Sequence, residues 1–449
     1  MSGVRIRTRK RNIVVPHDPQ SFADALIIII DDAREGLEEG DRANVAKVLD
    51  AANKASITCV IRFHSASYCF MQTIVAAETL DVADVAELDF SRYGDTLFEV
   101  AFVGARLTTG GSVATEGKKL DINVLACPAD AEAILPWIKW FQSMIRRRPF
   151  LVKALENVLQ KFVMGLEFYD DEGRHKIAIA LARCFSLKVG ILPESILPKM
   201  LVDRLVLKGT VLQFATEFFK EFLACDTLEH LMEILRKARL DSQMLEFFPP
   251  QKRTWAEFDA YFQAAGLDDL VQYTAKRRYD EHCQVLAELV QGMVADDPPA
   301  KADAVIAEVK AKKAEWGLED ADVAKWVFVG LVQSVMANIG SKNTQQVQFS
   351  VLKTLKTQSK TLSSFCTSAR LEAGLLNHIQ DRQKLAINAR LICTGSVKIL
   401  YDGDVLGEDT IRFWYNKGSS PKGRNVFLKN MEPFMNWLDE AEEDESDEE

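Results

Sequence analysis

Two short segments near the C-terminus combine aromatic and acidic residues at helical spacing. Box 1 (residues 406–415) ends in an aromatic run that contains Trp414, and box 2 (residues 431–443) contains Trp437. Large aromatic rings on helices are typical core anchors, so we expect both tryptophans to hold their helices in a core. A helix anchored in this way, and followed by carboxylates, would present negative charge to a basic ligand.

The acids of these boxes are the candidate binding residues, because carboxylates at the start of a helix or in a solvated run can accept from lysine. Asp409 can also cap a short helix in box 1. Ser446 precedes three further acids and fits a site for an acid-directed kinase. The candidate partner-binding residues are Glu408, Asp409, Trp414, Trp437, Asp439, Glu440, Glu442, Glu443, Asp444 and Glu445.

Charge is distributed unevenly along the chain. The net charge is −10, but nine carboxylates lie in the last eleven residues, which leaves −1 for the rest. Residues 341–430 hold 14 Lys and Arg against 6 Asp and Glu, and residues 5–11 form a second basic cluster. The acidic end would repel nucleic acid and attract lysine-rich protein segments.

No catalytic or metal-binding motif is found. The glycines of residues 110–117 do not have the spacing or the hydroxyl of a phosphate-binding loop, so a flexible loop is the simpler interpretation. Cys-x-x-Cys, His-Glu-x-x-His and Gly-x-Ser-x-Gly are missing, and six histidines are scattered. We therefore expect a protein without enzymatic activity, metal or cofactor.

Length and composition are those of an ordinary globular protein with two or three domains. The 449 residues are 48% hydrophobic and 27% charged. No apolar run approaches the ~20 residues of a membrane span. Eight cysteines lie far apart, which favours a reduced, cytoplasmic protein.

Apolar residues recur at three- and four-residue steps almost throughout, while strand-like alternation is rare. This periodicity predicts an all-α protein that is more than half helical, built as a HEAT-type α-solenoid of stacked helix pairs. Thr227 and Thr254 are predicted helix N-caps, the latter in a capping box with Glu257.

The predicted domain organisation follows from these patterns. A basic, disordered N-terminus (1–20) precedes a HEAT-like domain (21–250), a second helical domain (254–440) and an acidic tail (441–449). Residues 53–86 have neither a helical period nor the residues typical of turns. We interpret them either as a long surface loop or as translated intron sequence.

The two boxes resemble those of the W2 domain, and further segments resemble the eIF5-mimic proteins, also called basic leucine zipper and W2 domain-containing proteins. The family runs almost directly from residues 49–51 to residue 88, so residues 53–86 are atypical. No leucine zipper supports the second name, because the leucines are not spaced by seven. Besides the boxes, the similar segments are residues 7–11, 45–50, 91–98, 110–111, 244–249, 258–267 and 422–428.

This resemblance implies a regulator of translation initiation, with residues 254–440 as a W2 domain after MIF4G-like HEAT repeats. It implies binding to eIF2, through lysine-rich boxes of its beta subunit, and to eIF3, within the 43S and 48S preinitiation complexes. Competition with eIF5 for these partners would raise start-codon stringency and repress non-AUG initiation. A HEAT-repeat scaffold that binds RNA is the alternative, although the acidic tail would compete with RNA for the basic region.

Overall fold

A computed structural model describes residues 17–40, 89–296, 298–336, 344–382, 389–419 and 424–446. More than half of the chain is helical, as the periodicity predicted, and within the described residues the only β contact is an isolated bridge between Leu107 and Val113. The predicted insertion at 53–86 and the basic residues 5–11 lie outside the described residues. No described helix is long and apolar enough to cross a bilayer.

The chain divides into two compact units between Val271 and Gln272, inside the long helix α11 (Asp268–Ala295). The helices before it in the first unit are α1 (Pro19–Gly40), α2 (Phe90–Val103), α3 (Ala131–Arg147), α4 (Leu151–Met164), α5 (Asp171–Ser186), α6 (Pro193–Ile196), α7 (Asp203–Leu207), α8 (Thr210–Leu223), α9 (Leu228–Lys237) and α10 (Trp255–Ala264).

The core of the first unit is aromatic. Helices pack as α2 with α4, α3 with α5, and α5 with α8. Phe102 of α2 lies between Phe141 of α3, at 5.1 Å between ring centroids, and Phe162 of α4, at 5.0 Å. All three rings are fully buried, so each contributes on the order of 2–3 kcal/mol of apolar burial.

The glycine-rich segment 110–117, predicted to be a flexible loop, is exposed at residues 110 and 115–117 and packs against the core at Gly111. Gly111 has φ +89°, and a Cβ there would lie 2.2 Å from the carbonyl oxygen of Lys161, so only glycine fits. The Tyr169 hydroxyl donates to the Gly111 carbonyl at 2.7 Å. Buried Glu99 accepts from the Leu107 amide at 3.1 Å, which fixes the start of this loop.

The predicted junction at residues 250–254 lies inside the first unit, earlier than the division at residues 271 and 272. The reason is aromatic packing across the junction. Phe248 contacts Phe258 at 6.0 Å and Phe262 at 6.1 Å between ring centroids, and all three are buried. These contacts hold α10 against the elements that precede it.

Both predicted threonine caps are confirmed. The Thr227 hydroxyl accepts from the His230 amide, and the Thr254 hydroxyl accepts from the Glu257 amide, each at 3.3 Å. Each bond satisfies one of the amides that a helix leaves unpaired at its first turn.

We expect Thr254→Ala to lower the free energy of unfolding by about 1 kcal/mol, because it removes the cap of α10 from an exposed position where no packing is lost. Urea denaturation of the full chain measures the change. Thr254→Ser keeps the hydroxyl and is the matched control. Equal losses for both variants would show that the methyl group, and not the hydrogen bond, matters.

The second unit continues from α11 through eight further helices in the part that the structure describes. α13 packs on α14 and α16, α14 on α17, α16 on α18, and α17 on α19. These helices are α12 (Ala302–Trp316), α13 (Asp320–Met336), α14 (Thr344–Thr357), α15 (Ser359–Ser363), α16 (Ala369–Arg382), α17 (Ala389–Asp402), α18 (Glu408–Phe413) and α19 (Arg424–Ser446), with one π-helical turn, Trp414–Gly418, directly after α18.

Two buried thiols and one half-buried phenol of this unit are neutral groups. Burial raises the pKa of the Cys366 thiol to about 12 and that of the Cys283 thiol to about 11. Burial also raises the pKa of Tyr279 to about 12, and its hydroxyl donates to Asp322 at 2.8 Å. All three stay protonated near neutral pH, so the charge of the second unit comes from its surface residues.

Candidate protein-binding surface

Trp414 is a core residue, as predicted. Its side chain is fully buried in the π-helical turn after α18, and its Nε1 donates to Oδ1 of Asn377 on α16 at 3.0 Å. A buried indole N–H needs such an acceptor, because burying it without a hydrogen bond costs the free energy of its lost hydration. Trp414 therefore positions α18 and is not itself accessible to a partner protein.

The expectation of a core position is wrong for Trp437, which is 41% exposed. On α19, Phe434 and Leu438 face the core, and a helix with about 3.6 residues per turn places Trp437 at the edge of that face. Its ring stacks on Phe434 at 5.7 Å between centroids, and Nζ of Lys398 lies 4.9 Å from the ring centroid. Trp437 is thus part of the surface and carries a cation on its face.

The two acids of box 1 differ in their surroundings. The N-cap of α18 is Gly407, so the expectation that Asp409 caps the helix is wrong, and both acids lie in the first helical turn. Oε1 of Glu408 accepts from Nε of Arg412 at 2.8 Å. Asp409 is exposed and has no partner among the described residues.

Arg412 joins the two boxes. Besides Glu408, its guanidinium binds Asp439 of box 2 through Nη1. One arginine thereby holds the first turn of α18 to α19 and partly neutralises two of the candidate acids. Glu408 and Asp439 are therefore occupied by an internal cation, while Asp409 and exposed Glu440 have no such partner in the described part of the chain.

The acidic run begins on a helix. α19 extends to Ser446, so the backbone of Glu442, Glu443, Asp444 and Glu445 is helical within the predicted tail, while the side chains of residues 441–449 lie outside the described residues. Carboxylates near a helix C-terminus face the negative end of its dipole and repel one another at four-residue spacing. A cationic ligand would relieve both penalties.

Sequence reasoning missed three residues of this surface: Arg412, Lys398 and Tyr401. The Tyr401 hydroxyl donates to Oε2 of Glu408 at 3.4 Å, and its ring lies 6.2 Å from that of Trp437 between centroids. The spacing of four residues between Glu408 and Arg412 is an ion-pair signal on a helix and could have found that contact. The contacts of Arg412 with Asp439 and of Lys398 with Trp437 have no local signal, because they join residues far apart in the chain.

Comparison with known proteins agrees with this architecture. Residues 72–284 match the family model of the 5MP1/2 HEAT domain, and residues 371–448 match the W2 model, described as eIF4-gamma/eIF5/eIF2-epsilon. The first match begins inside the predicted insertion. The fold and surface therefore define an all-helical protein with a HEAT-type α-solenoid and a C-terminal W2 domain, as the sequence predicted.

Relatives extend the similarity to the whole chain. The human and rat proteins named eIF5-mimic protein 2 are each 28% identical over 452 aligned positions, which cover 100% of this chain and 96% of theirs. The mouse eIF5-mimic protein 1 is 28% identical over 453 positions, covering 97% of that protein. The chain is therefore similar to the eIF5-mimic proteins over its whole length, and it matches the model of their HEAT domain. It is a translation initiation regulator built from domains that serve in protein interaction and not in catalysis.

Proposed function

We propose that this protein restrains translation initiation by competing with eIF5 for lysine-rich boxes of the eIF2 beta subunit. Binding to eIF3 would place it in cytoplasmic 43S and 48S preinitiation complexes. Occupying these factors would raise start-codon stringency and repress non-AUG initiation. For such competition, this protein would have to bind the same segment that eIF5 binds. It would not need a catalytic activity of its own.

The observation that carries this proposal is the array of acids at the C-terminal end of the second unit. Asp409 and Glu440 are exposed and unpaired among the described residues, and the helix that carries Glu440 continues into an acidic run. Lysine-rich segments complement this array, and the attraction between many exposed charges mainly raises the association rate and weakens with salt.

We expect Arg412→Gln to tighten binding of a lysine-rich peptide by about threefold, because it frees Glu408 and Asp439 from their internal cation. Isothermal titration at low salt measures the affinity. Arg412→Lys keeps the charge and should bind like wild type. Weaker binding by Arg412→Gln at unchanged stability would show that the arginine acts by orienting α19 and not by occupying the acids.

RNA binding is the second candidate function. It is favoured by one face of α14, where Phe349 is 71% exposed and Lys353 and Lys356 follow at helical spacing. Aromatic rings beside lysines are typical of sites for single-stranded nucleic acid. The acidic run argues against this function, because it competes with phosphates for the same lysines.

Two binding experiments on the full chain separate the candidates. Pull-down by a lysine-rich peptide of the eIF2 beta type, without a gel shift of single-stranded RNA at the same salt concentration, supports the proposal. A shift with RNA, lost on Phe349→Ala and without binding to the peptide, would favour the RNA-binding scaffold instead.

A further inference from the structure

An open groove lies between α16 and α18 in the second unit. Its volume is about 520 Å³, and most of the surface that lines it is apolar. Box 1 contributes one wall and α16 the other, so the groove adjoins the acids of the proposed binding surface. Its lining residues are Ala369, Arg370, Ala373, Gly374, Asn377, Asp409, Thr410 and Phe413.

The walls of the groove suit the side chain of a partner. The ring of Phe413 is 58% exposed, and its edge lies over Gly418, where a Cβ would come within 3.2 Å of the ring. On the opposite wall, a Cβ on Gly374 would meet only the stem of Lys325, at 3.9 Å. The groove is thus open beside a ring that is more than half exposed.

The charged residues at the rim indicate which side chain of a partner would bind in the groove. Asp409 precedes Phe413 by four residues on α18, so the carboxylate and the ring lie on the same side of the helix. A lysine can lay its aliphatic stem along such a ring and reach the acid with its ammonium group. Arg370 lies on the wall formed by α16 and would repel a second lysine there, which favours an uncharged apolar neighbour.

We propose that this groove is a specific subsite for a lysine together with a neighbouring apolar side chain of the partner segment. This inference rests on the proposed function and adds to it a short-range, shape-dependent contact. Charge attraction alone leaves the register of a lysine-rich segment undefined, whereas a groove with one acid and one basic rim fixes both its register and its direction.

Two variants alter the groove without disturbing the core. Gly374→Leu fills the open space from a helical position, where leucine is also the better helix former, and Phe413→Ala removes the exposed ring. The matched controls are Gly292→Leu, a helical glycine with nothing within 4 Å of its Cβ position, and Phe150→Ala, a ring that is 52% exposed in the first unit.

The probes are two peptides of equal length and charge, one alternating lysine with leucine and the other lysine with serine. We expect wild type and both controls to prefer the lysine–leucine peptide by about tenfold, and to keep this preference at about 0.5 M salt, where long-range attraction is screened. Gly374→Leu and Phe413→Ala should bind both peptides equally. Binding is measured by fluorescence anisotropy on the full chain.

Equal binding of the two peptides by wild type, or a preference that survives both groove variants, would overturn the groove subsite and leave the electrostatic function standing. Binding of neither peptide at low salt would overturn the proposed function together with the subsite. Circular dichroism of each variant confirms that the fold is retained.

Discussion

Trp414→Ala should lower the free energy of unfolding of the second unit by about 3–5 kcal/mol, as large buried truncations do. The ring is fully buried, and its loss would leave a cavity and remove the indole N–H that donates to Oδ1 of Asn377. Urea denaturation followed by far-ultraviolet circular dichroism measures the change. A lower affinity for lysine-rich peptides should accompany it, because α18 and its acids would lose their anchor.

Trp437→Ala is the matched comparison for this prediction. The ring is 41% exposed, so its removal should cost much less stability than the loss of Trp414. Wild-type stability for Trp414→Ala, with peptide binding lost, would contradict the core position and place that ring at the interface.

Neutralising the acidic run should have the largest effect on binding. If each exposed carboxylate strengthens binding to a lysine-rich peptide by a factor of about two, five of them contribute about thirtyfold. We therefore expect a strong loss when all five are changed to their amides, and a barely measurable loss for any single change. The five residues are Glu440, Glu442, Glu443, Asp444 and Glu445.

Two salt concentrations and one modified protein complete this test. The thirtyfold difference should shrink at high salt, since exposed charges are screened. Phosphate on Ser446 would add about −1.5 to −2 charges and should tighten binding. Equal affinities of wild type and the five-fold variant at low salt would refute the electrostatic mechanism and move the binding site to the helical surface.

Much of the fold could be predicted because its signals are local. Thr254 and the amide of Glu257 lie within one helical turn, so sequence spacing alone identified the cap. The helical period is also a local signal, as in α12 (Ala302–Trp316), where buried Val305 and Val309 are four residues apart. Trp414 could be assigned to the core because a short helix depends for its stability on burying a large side chain such as this ring.

The features that could not be predicted depend on contacts between distant residues. The pairing of Arg412 with Asp439 exists only because α18 and α19 are brought together. Trp437 shares its helix with buried Phe434, and only the angle at which α19 packs decides which ring reaches the solvent. The acidic tail was predicted to begin at residue 441, yet the backbone of α19 continues as a helix to Ser446.

Quantitative competition between this protein and eIF5 for the eIF2 beta subunit tests the proposed function most directly. The full chain is titrated into a complex of labelled eIF2 beta lysine-rich segment and eIF5, and the displaced fraction is measured by fluorescence anisotropy. We expect complete displacement that follows a single-site competition curve, and a shift of that curve to about thirtyfold higher concentration for the five-fold neutralised variant. Simultaneous binding of both proteins to the segment, or displacement that is unchanged by the neutralisation, would contradict the proposal.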